Sequence, residues 1–315
     1  MKIVLRIIAG LFAAVVIAAT ALMLTFTEEK LDLPRVDVGT LPSASPPKEM
    51  SISALPTGAM ESRAEFAFRG GKWNDIRQFS MTALLVRHPK GNLLIDTGFG
   101  RDVDKHVAMM PPLFRSFTKY SKGTPAAAQL AAGGVDAKTI AGVIITHAHW
   151  DHVSGLDGLP GVPVLVNAAE ADFIRQKGRN TELINSFDGI NYKPYEFDGG
   201  PYLGFPKSHD VYGDGSIVIV PSPGHTPGSV VAFVTLPSGR RYALLGDLVW
   251  QSEAVDIPAQ RPWLVRRMLG ENDAEVRDNI GRIVSIAGKF PEIKLLPAHD
   301  ERSFRMLPVF PDKLQ

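Results

Sequence analysis

The hydrophobic pattern divides the chain into three parts. An apolar run without charged residues extends from residue 7 to residue 26 (IIAGLFAAVVIAATALMLTF) and has no polar face. A segment that becomes rich in proline and serine follows, over residues 27–50. From Ser51 onward, short runs rich in Val, Ile and Leu alternate with segments of helical pattern. This alternation predicts a mixed α/β domain over residues 51–315.

The apolar runs predict two series of strands. The first comprises residues 79–87, 92–95, 142–146 and 162–166, and the second comprises 211–212, 216–221, 230–236, 242–245 and 293–297. Helices are predicted at 125–132, with Thr124 as N-cap, at 168–175 and over most of 262–289. Two halves with the same coarse order of elements are typical of a sandwich of two sheets with outer helices.

The N-terminal run is long enough to cross a bilayer, since a helix of this length at about 1.5 Å per residue spans roughly 30 Å. Lys2 and Arg6 precede the run and acidic residues follow it, so the positive-inside tendency places the rest of the chain outside the cytoplasm. The length favours an uncleaved anchor, and a signal peptide cut at residues 19–21 (ATA) is the alternative.

These features predict the location of each part of the chain. Residues 1–26 would be an inner-membrane anchor or signal peptide, and residues 27–50 a linker that holds the domain off the membrane. The catalytic domain would lie on the periplasmic side, or be released into the periplasm if the helix is cleaved. The lipid bilayer is therefore an expected partner.

Composition and charge exclude a few functions. The 315 residues carry a formal net charge of +1, and no basic stripe suggests a nucleic-acid partner. Cysteine is absent. Disulfides are therefore excluded, and any metal site must use nitrogen and oxygen ligands.

The sequence HAHWDH (residues 147–152) directly follows the apolar run 142–146. A strand that ends in a tight turn can direct His147, His149, Asp151 and His152 into one cavity, and these ligand types suit zinc at neutral pH. Three more such residues follow later apolar runs: His225, Asp247 and His299. Together they form a set of seven candidate ligands. His88, His106 and His209 have no such context and are expected to be structural or surface residues, with His106 and His209 candidates for the site mouth.

From about Ser51 to Ser303, the sequence resembles the metallo-β-lactamase superfamily. The resemblance rests on the HxHxDH motif, on the separate His, Asp and His that follow it, and on the turn Asp96-Thr97-Gly98. It implies an αββα sandwich with two zinc ions at one edge; iron or manganese are alternative metals. His147, His149 and His225 would hold one ion, Asp151, His152 and His299 the other, and Asp247 would bridge them. Asp96 would support the ligand loops.

The resemblance implies a hydrolase in which a metal-bridging hydroxide attacks an acyl carbonyl. Asp151 and Asp247 would be the catalytic carboxylates, with Asp151 also moving a proton. The motifs most resemble the lactonase and glyoxalase II-like branch, which implies a lactone, carboxylic ester or related acyl substrate. Several acyl-homoserine lactonases carry a tyrosine three residues after the bridging aspartate, where this chain has Trp250.

Two other functions fit the same motifs. A mononuclear-iron persulfide dioxygenase uses the same scaffold, and a β-lactamase or thioesterase belongs to the same superfamily. The expected substrate is a small, partly apolar molecule. A candidate apolar mouth combines the segment from Met109 to Phe117 with Trp250, Pro258 and Trp263. The same residues also fit ordinary core packing or a patch that faces the membrane.

Overall fold

The computed structural model describes residues 2–315; Met1 and the side chains of Leu113, Ser116 and Phe117 lie outside that description. The strands are β1 Ser51–Arg63, β2 Ile76–Arg87, β3 Asn92–Ile95, β4 Lys119–Lys122, β5 Ile140–Ile144, β6 Pro163–Asn167, β7 Asn191–Tyr195, β8 His209–Asp210, β9 Ile217–Pro221, β10 Val230–Thr235, β11 Arg241–Gly246 and β12 Ile293–Pro297. The helices are α1 Lys2–Leu24, α2 Ala64–Ala67, α3 Val103–Ala108, α4 Pro112–Phe117, α5 Ala126–Ala132, α6 Trp150–Val153, α7 Ala168–Arg175, α8 Glu182–Ser186, α9 Glu253–Asp256, α10 Trp263–Leu269, α11 Asp273–Lys289 and α12 Glu301–Phe304.

The strands form two sheets. One has seven strands in the order β4-β1-β2-β3-β5-β6-β7, and the other has five in the order β12-β11-β10-β9-β8. In the first sheet the adjacent strands β3, β5, β6 and β7 are parallel to one another. In the second sheet β11 is parallel to β12. The carboxyl ends of β3 and β5 therefore lie at one edge of their sheet, as those of β11 and β12 do in theirs.

Alternate residues of each strand pack in different layers. Leu84 in β2 and Ile219 in β9 belong to one apolar cluster that joins the inner faces of both sheets. Leu85 and Val220, their neighbours along the strands, belong to a second cluster that includes Ile280 of α11. This period of two is expected for strands covered on both faces. The predicted αββα architecture, with one apolar helix before it, is confirmed.

Several predicted elements differ in detail. A strand predicted at 211–212 is instead β8 at His209–Asp210, and Tyr212 stacks on His88 with 3.8 Å between the ring centroids. The N-cap position of α5 is Pro125 rather than Thr124, and no side chain caps the helix. The long β1 was not predicted because a register shift between Pro56 and Gly58 interrupts its pattern.

Residues 27–50, the predicted linker, contain no helix or strand and lie along the domain. Leu31 and Val38 are buried, and the Leu31 amide donates to the Pro258 carbonyl oxygen at 2.7 Å. The Val36 amide donates to Ser285 Oγ at 3.1 Å. The segment is thus packed on the domain surface and is not a free spacer between the domain and α1.

Candidate metal centre

The seven candidate ligands meet at one edge of the two sheets. The HAHWDH segment begins three residues after the end of β5 and continues into α6, while the other three ligands follow strands of the second sheet. Asp247 comes directly after β11, His299 follows β12, and His225 lies in the turn after β9. Parallel strands bring their carboxyl ends together, which explains why ligands that lie far apart in sequence converge here. All five histidines and Asp247 are buried, and Asp151 is partly exposed.

The ligand atoms form two groups, each with its atoms within 4.8 Å of one another. The members of the first group are His147, His149, His225 and Asp247, and those of the second are Asp151, His152 and His299. These are the two sets implied by the resemblance, with Asp247 grouped here with the first. Their role as metal ligands is taken up below as a proposal.

Asp247 lies between the two groups. Its Oδ1 atom is 3.1 Å from His152 Nε2 and 3.0 Å from His299 Nε2. Its Oδ2 atom is 3.4 Å from His225 Nε2 and 3.8 Å from His147 Nε2. One carboxylate therefore directs one oxygen toward each group, which is the placement required of a residue that bridges two cations.

The donor atoms are arranged to bind cations rather than to form hydrogen bonds with one another. His147 Nε2, His152 Nε2 and Asp247 Oδ1 are buried and have no hydrogen-bond partner with acceptable geometry. His149 Nδ1 and His225 Nε2 lie 2.9 Å apart, with two ring nitrogens facing each other. Buried polar atoms without partners are costly, so the arrangement is satisfied when positive ions lie among these atoms. Nitrogen and oxygen donors of this kind suit zinc.

The two groups differ in their preferred protonation. Complete burial and neighbouring imidazoles lower the pKa of His147 and of His149 well below the ordinary value, so both rings are neutral at pH 7. Burial has the same tendency at His152, but the carboxylates of Asp247 and Asp96 outweigh it and raise the His152 pKa well above its ordinary value. The pKa of His299 is also raised, because Asp247 outweighs burial there.

Asp96 supports the ligand loop, as expected. Its Oδ1 accepts a hydrogen bond from the Thr146 amide at 2.7 Å, and its Oδ2 accepts from Thr146 Oγ1 and His152 Nδ1, both at 2.8 Å. With a φ of +54°, the backbone of Asp96 is left-handed. The bond to Nδ1 leaves His152 Nε2 free to face Asp247.

Glu170 joins two ligand loops and was not among the residues predicted from the sequence. Its Oε1 accepts from the Ala148 amide at 2.6 Å, and its Oε2 accepts from Thr226 Oγ1 at 2.7 Å and from the Gly228 amide at 3.0 Å. Burial raises the pKa of Glu170 to about 7, against the effect of these hydrogen bonds. Gly228 passes so close to α7 that a Cβ there would lie 2.2 Å from Glu170 N. An acidic residue on the buried face of α7, in line with Ile174, was the available sequence signal.

Two further buried residues, Glu271 and Arg261, form an ion pair that was also not predicted from the sequence. Glu271 Oε1 accepts from His225 Nδ1 at 2.7 Å and pairs with the Arg261 guanidinium. Burial opposes ionisation of Glu271, but Arg261 and His225 lower its pKa. The Arg261 guanidinium carbon also lies 4.9 Å from the centre of the Trp250 ring, and Trp250 Nε1 donates to Asp247 Oδ2 at 2.7 Å. Arg261 thus contacts Glu271, which holds His225, and Trp250, which holds Asp247.

Only part of the predicted apolar mouth lies at the ligands. Trp250 contacts Asp247 and packs on Phe79, with ring centroids 5.8 Å apart. Phe114 lines a small apolar cavity that also touches Trp150 of the HAHWDH segment. Met109 and Met110 pack against the core, while Trp263 is exposed. Leu113 and Phe117 have side chains outside the described part of the structure.

The remaining three histidines belong to neither ligand group. His106 is buried, and its Nδ1 lies 2.7 Å from Ser154 Oγ. His88 Nε2 lies 3.0 Å from an oxygen of Asp214, and His209 Nδ1 lies 3.0 Å from one of Asp198. Each has a partner away from the two groups, consistent with structural roles.

Comparison with known proteins agrees with this geometry. A family model described as "Metallo-beta-lactamase superfamily" matches residues 77–286. A Mycobacterium tuberculosis protein named "Probable metallo-hydrolase" is 30% identical over 240 residues, covering 71% of this chain and 75% of the relative. An "N-acyl homoserine lactonase AttM" of Azorhizobium caulinodans is 27% identical over 175 residues, covering 53% of this chain and 64% of the relative.

The fold is also similar to that of solved structures. One is an N-acyl homoserine lactone hydrolase with the product N-hexanoyl-L-homoserine bound at its catalytic metal centre. The match has a TM-score of 0.66 at 18% identity, and it covers 84% of this chain and 98% of that one. At this identity the match demonstrates a shared fold.

Proposed function

The chain belongs to the metallo-beta-lactamase superfamily and is a metal-dependent hydrolase, and we propose that it uses two zinc ions to cleave a lactone, carboxylic ester or related acyl bond. The observation that carries the proposal is the position of Asp247, whose two oxygens face different ligand groups. A single-ion site would not need a second group of three ligands on the far side of that carboxylate. The lactonase relatives support an acyl substrate.

In this proposal the ligands are divided as the distances suggest. His147, His149 and His225 would hold the first ion, and Asp247 would be shared with the second. Asp151, His152 and His299 complete the second site. Two zinc ions so held would lower the pKa of a shared water and polarise the substrate carbonyl. The chain's own contribution is to fix this geometry and to exclude bulk water, since all but one of the seven ligands are buried.

Asp151 is the carboxylate best placed to move a proton. Its side chain is 12% exposed, against 4% for Asp247, and its Oδ2 lies 3.4 Å from His299 Nε2. We assign it the transfer of a proton from the attacking water to the leaving oxygen, in addition to its ligand role. Asp247 is held by Trp250 and by both histidine groups, so it keeps its orientation while Asp151 exchanges protons with substrate.

The apolar helix α1 bears on where the protein is located. Helix α1 has 23 residues, none of them buried, and its composition and length would allow it to cross a bilayer. Lys2 and Arg6 lie at its start, so we propose that it anchors the protein in the inner membrane with the domain in the periplasm. A cleaved signal sequence would place the same domain in the periplasm without an anchor.

A hydrolysis panel tests the acyl-substrate proposal. Zinc-loaded full-length protein is assayed for acid release from acyl-homoserine lactones, simple lactones, aryl esters, glutathione thioesters and β-lactams. Asp247→Ala is the test variant, and Asp278→Ala, an exposed carboxylate on α11, is the matched control. We expect lactone or ester turnover that Asp247→Ala abolishes and Asp278→Ala retains. Absence of acyl hydrolysis, or persulfide oxidation by a one-iron form, would contradict the proposal.

A further inference from the structure

The end of helix α1 is fixed directly to the catalytic domain. The helix ends at Leu24, and two residues later Phe26 is 8% exposed. The Phe26 ring stacks on Trp73 at 6.2 Å and meets the edge of Phe66 at 6.0 Å, while Phe66 and Trp73 are 5.9 Å apart. We call these three residues, Phe26, Phe66 and Trp73, the aromatic clamp. It leaves Thr25 as the only residue between the helix and the domain.

Hydrogen bonds reinforce the clamp. The Arg69 guanidinium donates to the carbonyl oxygens of Leu24 and Thr27, each at 3.1 Å, and pairs with the Glu29 carboxylate. The Gly70 amide donates to the Phe26 carbonyl oxygen at 3.0 Å. A cation that binds the last carbonyls of a helix is favourable there. The domain is therefore held at the end of the helix, with no flexible chain between them.

The surface beside the clamp has the composition of a membrane interface. Trp73 is 52% exposed and Ile76 is 56% exposed, and the exposed Arg63 guanidinium lies 6.0 Å from the Trp73 ring centre. Large apolar side chains are costly in water when they lie together. Tryptophan, isoleucine and arginine side chains are instead favourable at the boundary between headgroups and acyl chains.

The segment of residues 257–263 connects the surface beside the clamp with the residues that support the metal centre. Residues 257–263 lie beside the clamp, because the Arg69 amide donates to the Gln260 carbonyl oxygen at 3.0 Å. Ile257 and Trp263 of this segment are exposed, but Arg261 between them is buried against Glu271 and Trp250. One side of the segment therefore faces solvent near the end of α1, and the other side supports the candidate ligands.

We propose that this surface, defined by Trp73, Ile76, Ile257 and Trp263, rests on the lipid bilayer and presents the metal centre to substrate dissolved in the membrane. The surface would contact the same bilayer that contains α1, because the clamp holds the domain directly at the end of that helix. The substrate class that follows is an acyl compound with a chain long enough to partition into lipid. This part rests on the proposed acyl hydrolase function.

The absence of cysteine allows a direct test of the docking. A single Ile76→Cys substitution in the full-length protein accepts one NBD fluorophore, and Tyr192→Cys, on the edge strand β7 of the same sheet, is the matched control. Both proteins are reconstituted into phosphatidylcholine–phosphatidylglycerol vesicles. We expect the label at residue 76 to be quenched by lipids with brominated chains and severalfold protected from aqueous iodide, relative to the label at residue 192. Equal exposure to iodide at both positions, or failure of the protein to float with vesicles, overturns the docking.

A kinetic comparison tests delivery from the bilayer. Ile76→Asp is assayed with a long-chain acyl lactone carried in vesicles and with a short-chain, water-soluble one. We expect kcat/KM to fall severalfold for the long-chain substrate and to stay unchanged for the short-chain one. Equal losses for both overturn delivery. If the wild-type protein hydrolyses no acyl substrate, the proposed function fails, whereas the label experiment needs no turnover and still decides the docking.

Discussion

The carboxylate of Glu271 accepts a 2.7 Å hydrogen bond from His225 Nδ1, on the opposite side of the ring from the candidate metal position. This bond fixes the proton on Nδ1 and directs the lone pair of Nε2 toward Asp247 and His149. Because the side chain of Glu271 is fully buried and that of Arg261 nearly so, the charge of Glu271 is balanced locally. Carboxylate partners of this kind orient metal-binding imidazoles and increase their basicity.

Replacing Glu271 with Gln should weaken the first metal site. The amide is nearly the same size but carries no charge, so the buried Arg261 loses its charged partner and His225 loses the carboxylate that orients its ring. We expect metal affinity to fall by about 10–100-fold. Affinity is measured by competition with a chromophoric chelator, which requires no turnover. Asp278→Asn on the same helix is the control and should bind metal as the wild type does. Unchanged affinity in Glu271→Gln would show that the bond does not orient His225.

Trp250→Phe removes one hydrogen bond and keeps an aromatic ring. The lost Nε1–H donates to Asp247 Oδ2, the oxygen that faces the first ligand group. A hydrogen bond to a charged group contributes about 1.5–3 kcal/mol, so we expect kcat/KM to fall by roughly 10–100-fold at saturating metal. Phe79→Leu, which alters the packing of Trp250 without removing its donor, serves as the control. Equal losses in the two variants would assign the effect to packing.

The occupancy of the two sites should depend differently on pH. A metal ion binds the unprotonated imidazole. The lowered pKa values of His147 and His149 keep these two rings free of protons as pH falls below 7, whereas the raised pKa values of His152 and His299 make metal compete with protons in the second group. A first ion shares Asp247 and weakens that attraction, but Asp96 and Asp151 still raise the pKa of His152.

We therefore expect metal to leave in two steps as pH is lowered from about 8 to about 5.5, a window set by the ordinary histidine pKa, and the second group to empty first. Metal content per chain is measured after equilibration at a fixed free zinc concentration. Asp96→Asn should weaken the second site and move the first step to higher pH, because it removes the carboxylate that accepts from His152 Nδ1 and directs Nε2 toward the metal position. Simultaneous loss of both ions at one pH would contradict the assignment.

The length of an N-terminal truncation should affect stability. A protein that begins at residue 25 keeps Phe26 in the aromatic clamp, whereas one that begins at residue 31 loses it. Burying a phenylalanine side chain contributes about 1.5–3 kcal/mol, so the free energy of unfolding of the shorter protein should be lower by about that amount and its urea midpoint should fall accordingly. Phe26→Ala in the longer form should reproduce the loss, and Glu28→Ala, an exposed change, should not. Equal midpoints in all forms would contradict the packing of Phe26.

The sequence predicted the candidate ligands because each of them follows an apolar strand within a few residues. His147 and Asp247 have ligand chemistry immediately after runs of Val, Ile and Leu, and that local pattern needs no knowledge of the rest of the chain. Parallel strands then bring the ligands to one edge. The seven residues predicted as ligands are accordingly all found at that edge.

The supporting residues could not be predicted in this way. Glu271 is 46 positions from His225, and Glu170 is 22 positions from Ala148 and 56 from Thr226. These residues lie in or beside helices, where a charged side chain normally faces solvent. Only their burial, which depends on how the helices pack against the sheets, gives them a role at the centre. The aromatic clamp depends on the same kind of long-range packing between Phe26 and Trp73.

The bridging position of Asp247 is tested most directly by crystallographic anomalous scattering at the zinc edge from the zinc-loaded protein. We expect two anomalous peaks about 3.5–4 Å apart, one beside each carboxylate oxygen of Asp247. The first should lie among His147, His149 and His225, and the second among Asp151, His152 and His299. A single peak at full zinc loading, or two peaks of which neither lies beside Asp247, would contradict it.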